Sequence, residues 1–245
     1  MSAATGSLRG AYDRSGQAWA DGPMRVYEPL AAALVAASPV RLSGRVVLDL
    51  GAGTGAASRA VLAAGGRPLA FDLSLGMLRH DRSRRPAALC GDVRRLPLRS
   101  RCVGAVVAAF VLNHLPDPVA ALREAGRVTE PEGPVLASTF SSSWSHPAKE
   151  RVEQVAAAFG FRRPAWYDFQ KAAAEPLLGD AAAFAAAAEA AGLAHVTVEE
   201  RQVDTGLPTA ADLVGTVLAF GRSSGSPARR LATMASGSPC PWRTT

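Results

Sequence analysis

Cysteine and lysine are nearly missing from this chain of 245 residues, and each scarcity narrows what the protein can be. The three cysteines, Cys90, Cys102 and Cys240, lie far apart, with no CxxC pair and no histidine at ligand spacing. Neither a metal site nor a disulfide framework is indicated, and a reducing, cytoplasmic setting fits. Long apolar runs are missing too: no stretch of about 18 hydrophobic residues occurs, so no membrane span is expected. The opening MSAATGSLRGAYDRSG has no apolar segment of the kind that directs export. Lysine occurs only at Lys149 and Lys171, against 25 arginines, in an Ala-rich and Gly-rich chain of net charge +6. That bias reads as nucleotide composition of the coding sequence rather than as a nucleic-acid footprint. The densest arginine clusters, 79–85 and 94–101, fall between expected elements and have no interleaved aromatics.

What is present suffices for one cored domain: 48% of the residues are hydrophobic. From residue 46 short apolar runs alternate with helical segments, the pattern of a mostly parallel sheet covered on both faces, an α/β doubly wound fold. The spacing predicts strands at 46–50, 69–72, 87–90, 103–110 and 134–139. Helices are expected at 56–64, at 74–80 with Ser74 as cap, at 117–127 opened by Asp117 and Pro118, and at 180–191. The alternation of 195–203 predicts a sixth strand, whereas Thr209 with Asp212 resembles a capping box for a helix reaching Phe220. No seventh strand is found. The expected organisation is a single domain over 1–222, with an N-terminal lid (1–42), a core (43–140) and a lid insertion (141–180). The tail, 223–245, is expected to be partly disordered.

Gly51-Ala-Gly53-Thr-Gly55-Ala56 follows the first strand and opens a helix. Its spacing alone also fits a dinucleotide site, and Asp72, 21 residues after Gly51, suits ribose hydroxyls in either case. Charge separates the two readings. Asp49 lies just before the loop, where a carboxylate would repel a pyrophosphate and attract a cation. Asp92, in Gly91-Asp92-Val93, puts a third acid at the end of the third strand. Three acids at consecutive strand ends beside a glycine turn favour a cationic nucleoside.

The runs VVLDLGAGTG, FDLSLGML, GDVRRLPL and AAFVLNHLPDPVAALREAGRV, in this order, resemble the motifs of class I S-adenosylmethionine-dependent methyltransferases. The likeness covers about residues 10–140 and is greatest to the small-molecule branch that includes the quinone-biosynthesis enzymes. It implies a Rossmann-like fold with a helical lid, and transfer of a methyl group from S-adenosylmethionine to a small, hydrophobic or aromatic acceptor. It further implies that Gly51, Gly53 and Gly55 back the methionine part, Asp72 takes the ribose, Asp92 and Val93 frame the adenine, and Phe110 lies near the sulfonium. Tyr12 and Asp13 resemble a YD element that folds over the cofactor, with Trp19 a further lid candidate. The chain departs from the family at Cys102-Val103 and at 129–134, neither of which touches the implied cofactor contacts.

A methyl transfer to a hydroxyl, phenol or acidic carbon gains from a general base. Two histidines are candidates. His146 is preferred because nothing around Ser143-Trp144-Ser145-His146-Pro147 demands a histidine structurally, and His114, after the fourth strand, is the second. Trp144, Trp166 and Tyr167 would line an apolar acceptor pocket. Two alternatives stay open: a cofactor-binding cyclase or isomerase that transfers no methyl group, and an RNA methyltransferase, favoured only if the arginines of 79–101 form one face beside the pocket.

Overall fold

The computed structural model describes residues 12–13, 16–84, 86–143, 146–160, 165–206 and 209–219. Among the described residues five strands form the sheet: β1 (Val46–Leu50), β2 (Arg67–Asp72), β3 (Ala88–Cys90), β4 (Ala105–Ala109) and β5 (Val135–Ser138). Their order is β3-β2-β1-β4-β5, and every pairing is parallel. The chain steps outward from β1 to β3, then returns to the other side of β1. That reversal opens a crevice at the carboxyl ends of β1 and β4, the place where open parallel sheets bind ligands.

Alternation along β1 explains why the sheet is covered twice. Leu48 and Leu50 point into one apolar cluster with Phe71, Val106, Leu112 and Leu122. Val47 points the other way, into a cluster with Val61, Val107, Ala31 and Val35. Each fully buried Val or Leu contributes roughly 1.5 to 3 kcal/mol. Helices α1 (Gly16–Asp21), α2 (Met24–Ala36) and α3 (Ala56–Ala63) precede or follow β1, and Ala31 and Val35 of α2 pack with Ala57 and Val61 of α3. Next come α4 (Leu75–Arg79) and α5 (Pro118–Val128). Both are capped as the sequence suggests: Ser74 Oγ accepts the Met77 N–H at 3.1 Å and the Asp117 carboxylate accepts the Ala120 N–H at 2.9 Å. Glu124 and Arg127 of α5 grip the segment after β3. Leu96 donates its N–H to Glu124 at 2.8 Å, and Arg127 donates to the carbonyls of Leu96 and Leu98 at 3.1 and 2.8 Å.

Beyond β5 the elements among the described residues are helices: α6 (Pro147–Ala158), α7 (Ala165–Leu178), α8 (Ala181–Ala190) and α9 (Ala210–Ala219). The expected sixth strand over 195–203 does not form. Its alternation is used for packing alone, since Val196 and Val198 lie against the core. A strand needs a hydrogen-bonded neighbour, and the stretch that could return as a hairpin partner is committed to α9 by the capping box. Thr209 Oγ1 accepts the Asp212 N–H at 3.1 Å. The fourth strand is also shorter than the run 103–110. Val103 makes only an isolated bridge with Thr129, and Phe110 ends the ladder by turning to φ +57°.

Candidate functional site

The glycine loop is built around three positive φ angles, +68° at Gly51, +51° at Gly53 and +99° at Gly55. Gly51 is required on a second ground, because a Cβ there would sit 2.3 Å from Cγ2 of Val111, the residue after Phe110. The loop is thereby pressed against the carboxyl end of β4. Its other side is fastened to β2: Gly51 and Ala52 donate their N–H groups to the Phe71 carbonyl at 2.8 and 3.1 Å. Gly53 donates to Oδ2 of Asp72 at 2.8 Å, and Ser74 donates to Oδ1 of the same carboxylate at 2.7 Å.

The three expected acids are therefore not equivalent. Asp72 stands half-buried at the end of β2, against the glycine loop. Asp49 does not reach the rim, which corrects the expectation of a direct ligand contact. Its side chain is 1% exposed and accepts a 2.6 Å hydrogen bond from Ser58 Oγ on α3. It points from β1 toward the helix beneath the loop because residue 49 shares the face of Val47. Asp92 keeps 32% of its side chain exposed but is engaged by Arg94, whose Nη2 and Nε approach to 2.7 and 3.0 Å. Hydrogen bonding from that guanidinium holds the Asp92 carboxyl below its ordinary value, against the opposing effect of burial. Val93 beside it is buried. The i+2 arginine is visible in the sequence; its doubled grip on Asp92 is not.

Phe110, 7% exposed at the end of β4, anchors an aromatic group. Its ring lies 4.6 Å from Phe140, beyond β5, and 5.3 Å edge-on from Tyr27 of α2. Tyr27 in turn meets Phe140 at 6.0 Å and Trp19 of α1 at 5.3 Å. Phe140 stays 40% exposed, so the group presents an open aromatic edge beside the crevice. Sequence reasoning misses Tyr27 and Phe140, although an aromatic immediately after a fifth strand is an available signal. Buried Oδ1 of Asn113 and Oγ of Ser138, on the turn after β4 and at the end of β5, have no hydrogen-bond partner among the described residues.

Tyr12 reaches the same region from the N-terminal side. Its hydroxyl lies 3.2 Å from Nδ1 of His114. Desolvation pushes the phenol well above its ordinary value, and Tyr27 and Asp72 act in the same direction, so it stays protonated. His114 thus belongs to the crevice. His146 instead serves as the N-cap of α6, its Nδ1 accepting the Ala148 N–H at 3.3 Å at an exposed position. That corrects the premise that no structural need exists there. Trp144 lies outside the described residues, as do the side chains of Trp166 and Tyr167, whose backbone belongs to α7. Among the described residues no three His, Cys, Asp or Glu side chains converge as metal ligands, and no helix is long and apolar enough to cross a membrane.

Residues 48–137 match the family described as a methyltransferase domain. That match runs from β1 to β5 and takes in the glycine loop, Asp72, Asp92 and Phe110. It is 35% identical over 137 residues to a demethylmenaquinone methyltransferase of Streptomyces griseus, a match covering 55% of this chain and 58% of that protein. A malonyl-[acyl-carrier protein] O-methyltransferase of Halorhodospira halophila is 40% identical over 115 residues, covering 44% of this chain and 39% of that protein. The chain thus spans less than two thirds of the length of either relative. Among solved structures, a putative methyltransferase in complex with the Haloferax volcanii Trm112 activator is similar at 23% identity and TM-score 0.47, over 67% of this chain and 88% of that one.

Proposed function

We propose that the protein transfers a methyl group from S-adenosylmethionine to a small acceptor bearing a hydroxylated ring. The hydrogen bond from Gly53 N–H to Asp72 carries this reading. In a dinucleotide site the loop amides face a pyrophosphate; here that amide is given to a carboxylate, so the rim repels an anion and suits a cation. S-adenosylmethionine supplies a methyl group on positively charged sulfur, a carbon already activated for in-line displacement.

The chain's own part is to hold, enclose and deprotonate. Gly51, Gly53 and Gly55 offer bare backbone to the methionine portion, and Asp72 has the lone pairs for ribose hydroxyls. Val93 supplies an apolar flank for the adenine, and Asp92 an acceptor for its amino group if the Arg94 pair yields. The π-face of Phe110 suits the sulfonium. The acceptor half of the crevice then lies over β4 and β5, where Tyr27, Phe110 and Phe140 form an aromatic wall. Asn113 Oδ1 and Ser138 Oγ are the buried acceptors that a ring hydroxyl could satisfy. His114 is the proposed base, since His146 is committed to capping an exposed helix.

Calorimetry with S-adenosylmethionine and NAD tests the cofactor assignment: the first should bind and the second should not. Incubation with methyl-labelled cofactor and reduced demethylmenaquinone tests the acceptor class, with labelled product expected. Binding of NAD in place of S-adenosylmethionine would overturn the assignment.

A further inference from the structure

Tyr12 and Asp13 tie together two strand ends that the sheet keeps apart. The Asp13 carboxylate accepts from Ser74 Oγ at 2.7 Å and from the Gly76 N–H at 3.1 Å, at the start of the helix that follows β2. The fit is close, since a Cβ on Gly76 would lie 2.1 Å from the Asp13 carbonyl oxygen. The neighbouring Tyr12 reaches His114 on the turn after β4. β1 runs between β2 and β4, so the dipeptide lies across the carboxyl end of β1, over the glycine loop. Edge-on ring contacts with Trp19 at 5.7 Å and with the His114 imidazole at 5.9 Å fix the Tyr12 ring in that position.

A neutral imidazole has one N–H and one lone-pair nitrogen, and the partner of one nitrogen decides the role of the other. We propose that Tyr12 is a positioning residue. Its hydroxyl oxygen accepts Nδ1–H of His114, making Nε2 the basic nitrogen, so that the base is set only when the Tyr12–Asp13 strap lies over the cofactor cleft. The phenol suits this role because it remains neutral where it is held and its oxygen can accept while its proton is directed elsewhere. Enclosure of the cofactor and readiness of the base then become one event, which keeps water from the cleft during transfer. The purpose of this coupling rests on the methyl-transfer reading; the tautomer and the strap do not require any acceptor to be measured.

The chain has four histidines, His80, His114, His146 and His195, so imidazole nitrogen NMR on the 245-residue chain is tractable. His114→Gln identifies the resonance by its loss. With S-adenosylmethionine bound and the ring neutral, His114 should carry its proton on Nδ1. Tyr12→Phe, which keeps the ring packing, should shift it toward the Nε2–H form. The same variant should release S-adenosylmethionine about threefold to tenfold faster in stopped flow, the loss of one hydrogen bond. Finding Nε2–H in the unaltered protein, or no change of tautomer or release rate in Tyr12→Phe, overturns the proposal. Failure of S-adenosylmethionine to bind the unaltered protein would instead overturn the methyl-transfer reading, so the two failures are distinct.

Discussion

Asp72, the last residue of β2, holds the backbone of Gly53 at 2.8 Å, so the acid expected to bind ribose also shapes the loop that would cradle the methionine portion. The same carboxylate accepts the Ser74 N–H, which links the loop to the start of α4. Binding chemistry and loop geometry are therefore coupled at one side chain. Substituting Asp72 by Ala should weaken S-adenosylmethionine binding by about 1 to 3 kcal/mol, because hydrogen bonds to a charged group are lost. Calorimetry reads this directly, and unchanged affinity would remove Asp72 from the ribose site.

Gly51→Ala forces a Cβ to within 2.3 Å of the Val111 side chain at a φ of +68°. Overpacking of this kind costs about 1 to 3 kcal/mol, with backbone strain added. Urea denaturation should show that loss, and because Val111 Cβ would itself lie at 2.5 Å, Gly51→Ala combined with Val111→Gly, measured against Val111→Gly alone, should recover the steric part of it. Equal destabilisation in the single and double variants would mean that the contact with β4 does not govern the loop.

Ser58→Ala removes a donor from the buried Asp49 carboxylate. Leaving a buried carboxylate short of one hydrogen bond should cost about 1 to 3 kcal/mol of folding stability. Affinity for S-adenosylmethionine should change far less, because Asp49 lies beneath the loop rather than on its rim. A large loss of affinity with unchanged stability would place Asp49 at the ligand after all.

The two histidines separate by readout. His146→Ala should shift the melting temperature slightly, through loss of a helix cap worth about 0.5 to 2 kcal/mol for the usual cap residues, and leave turnover intact. His114→Ala should lower turnover with cofactor affinity little changed. Assays with labelled methyl groups decide between them, and the opposite pattern would return the base to His146.

Arg127 holds the Glu124 carboxyl below its ordinary value, chiefly by hydrogen bonding to it. A carboxyl depressed in the folded state adds stability above its unfolded pKa, about 4.3 for Glu, and that stability is lost as pH falls through the lower folded value. Arg127→Met should therefore flatten the acid limb of the stability curve below about pH 4, where unfolded glutamate takes up its proton. Because the Arg127 grip also fixes Leu96 and Leu98, the same variant should loosen the segment after Asp92 in hydrogen exchange. A Tm-versus-pH curve identical to that of the unaltered protein would show that the pair adds nothing.

Local chemistry is legible wherever one residue acts on its own backbone. Ser74, Asp117, Asp180 and Thr209 cap the helices that their positions announce, and Gly55 opens α3 in the left-handed conformation that its type allows. The five parallel strands follow from alternating apolar runs. The segment 195–203 misleads because period-two alternation reports which side chains are buried, while a strand also needs a partner, and among the described residues none is supplied once 210–219 is helical. His146 misleads for a related reason. Its capping role depends on where α6 begins, and imidazole is an uncommon cap, so no familiar signature marks it.

From its sequence alone this chain determined an α/β scaffold, a glycine turn at the end of the first strand and an acid at the end of the second. These follow from periodicity and from the conformational freedom of single residues. Only the tertiary structure decided which acid reaches the rim, which histidine faces the crevice and which aromatics meet. Asp49, Asp72 and Asp92 look alike in sequence, but the face of a strand, a donated loop amide and a neighbouring guanidinium give them three different environments. His114 meets Tyr12 across 102 positions, a contact set by the folding of the N-terminal strap over the sheet and by no local pattern.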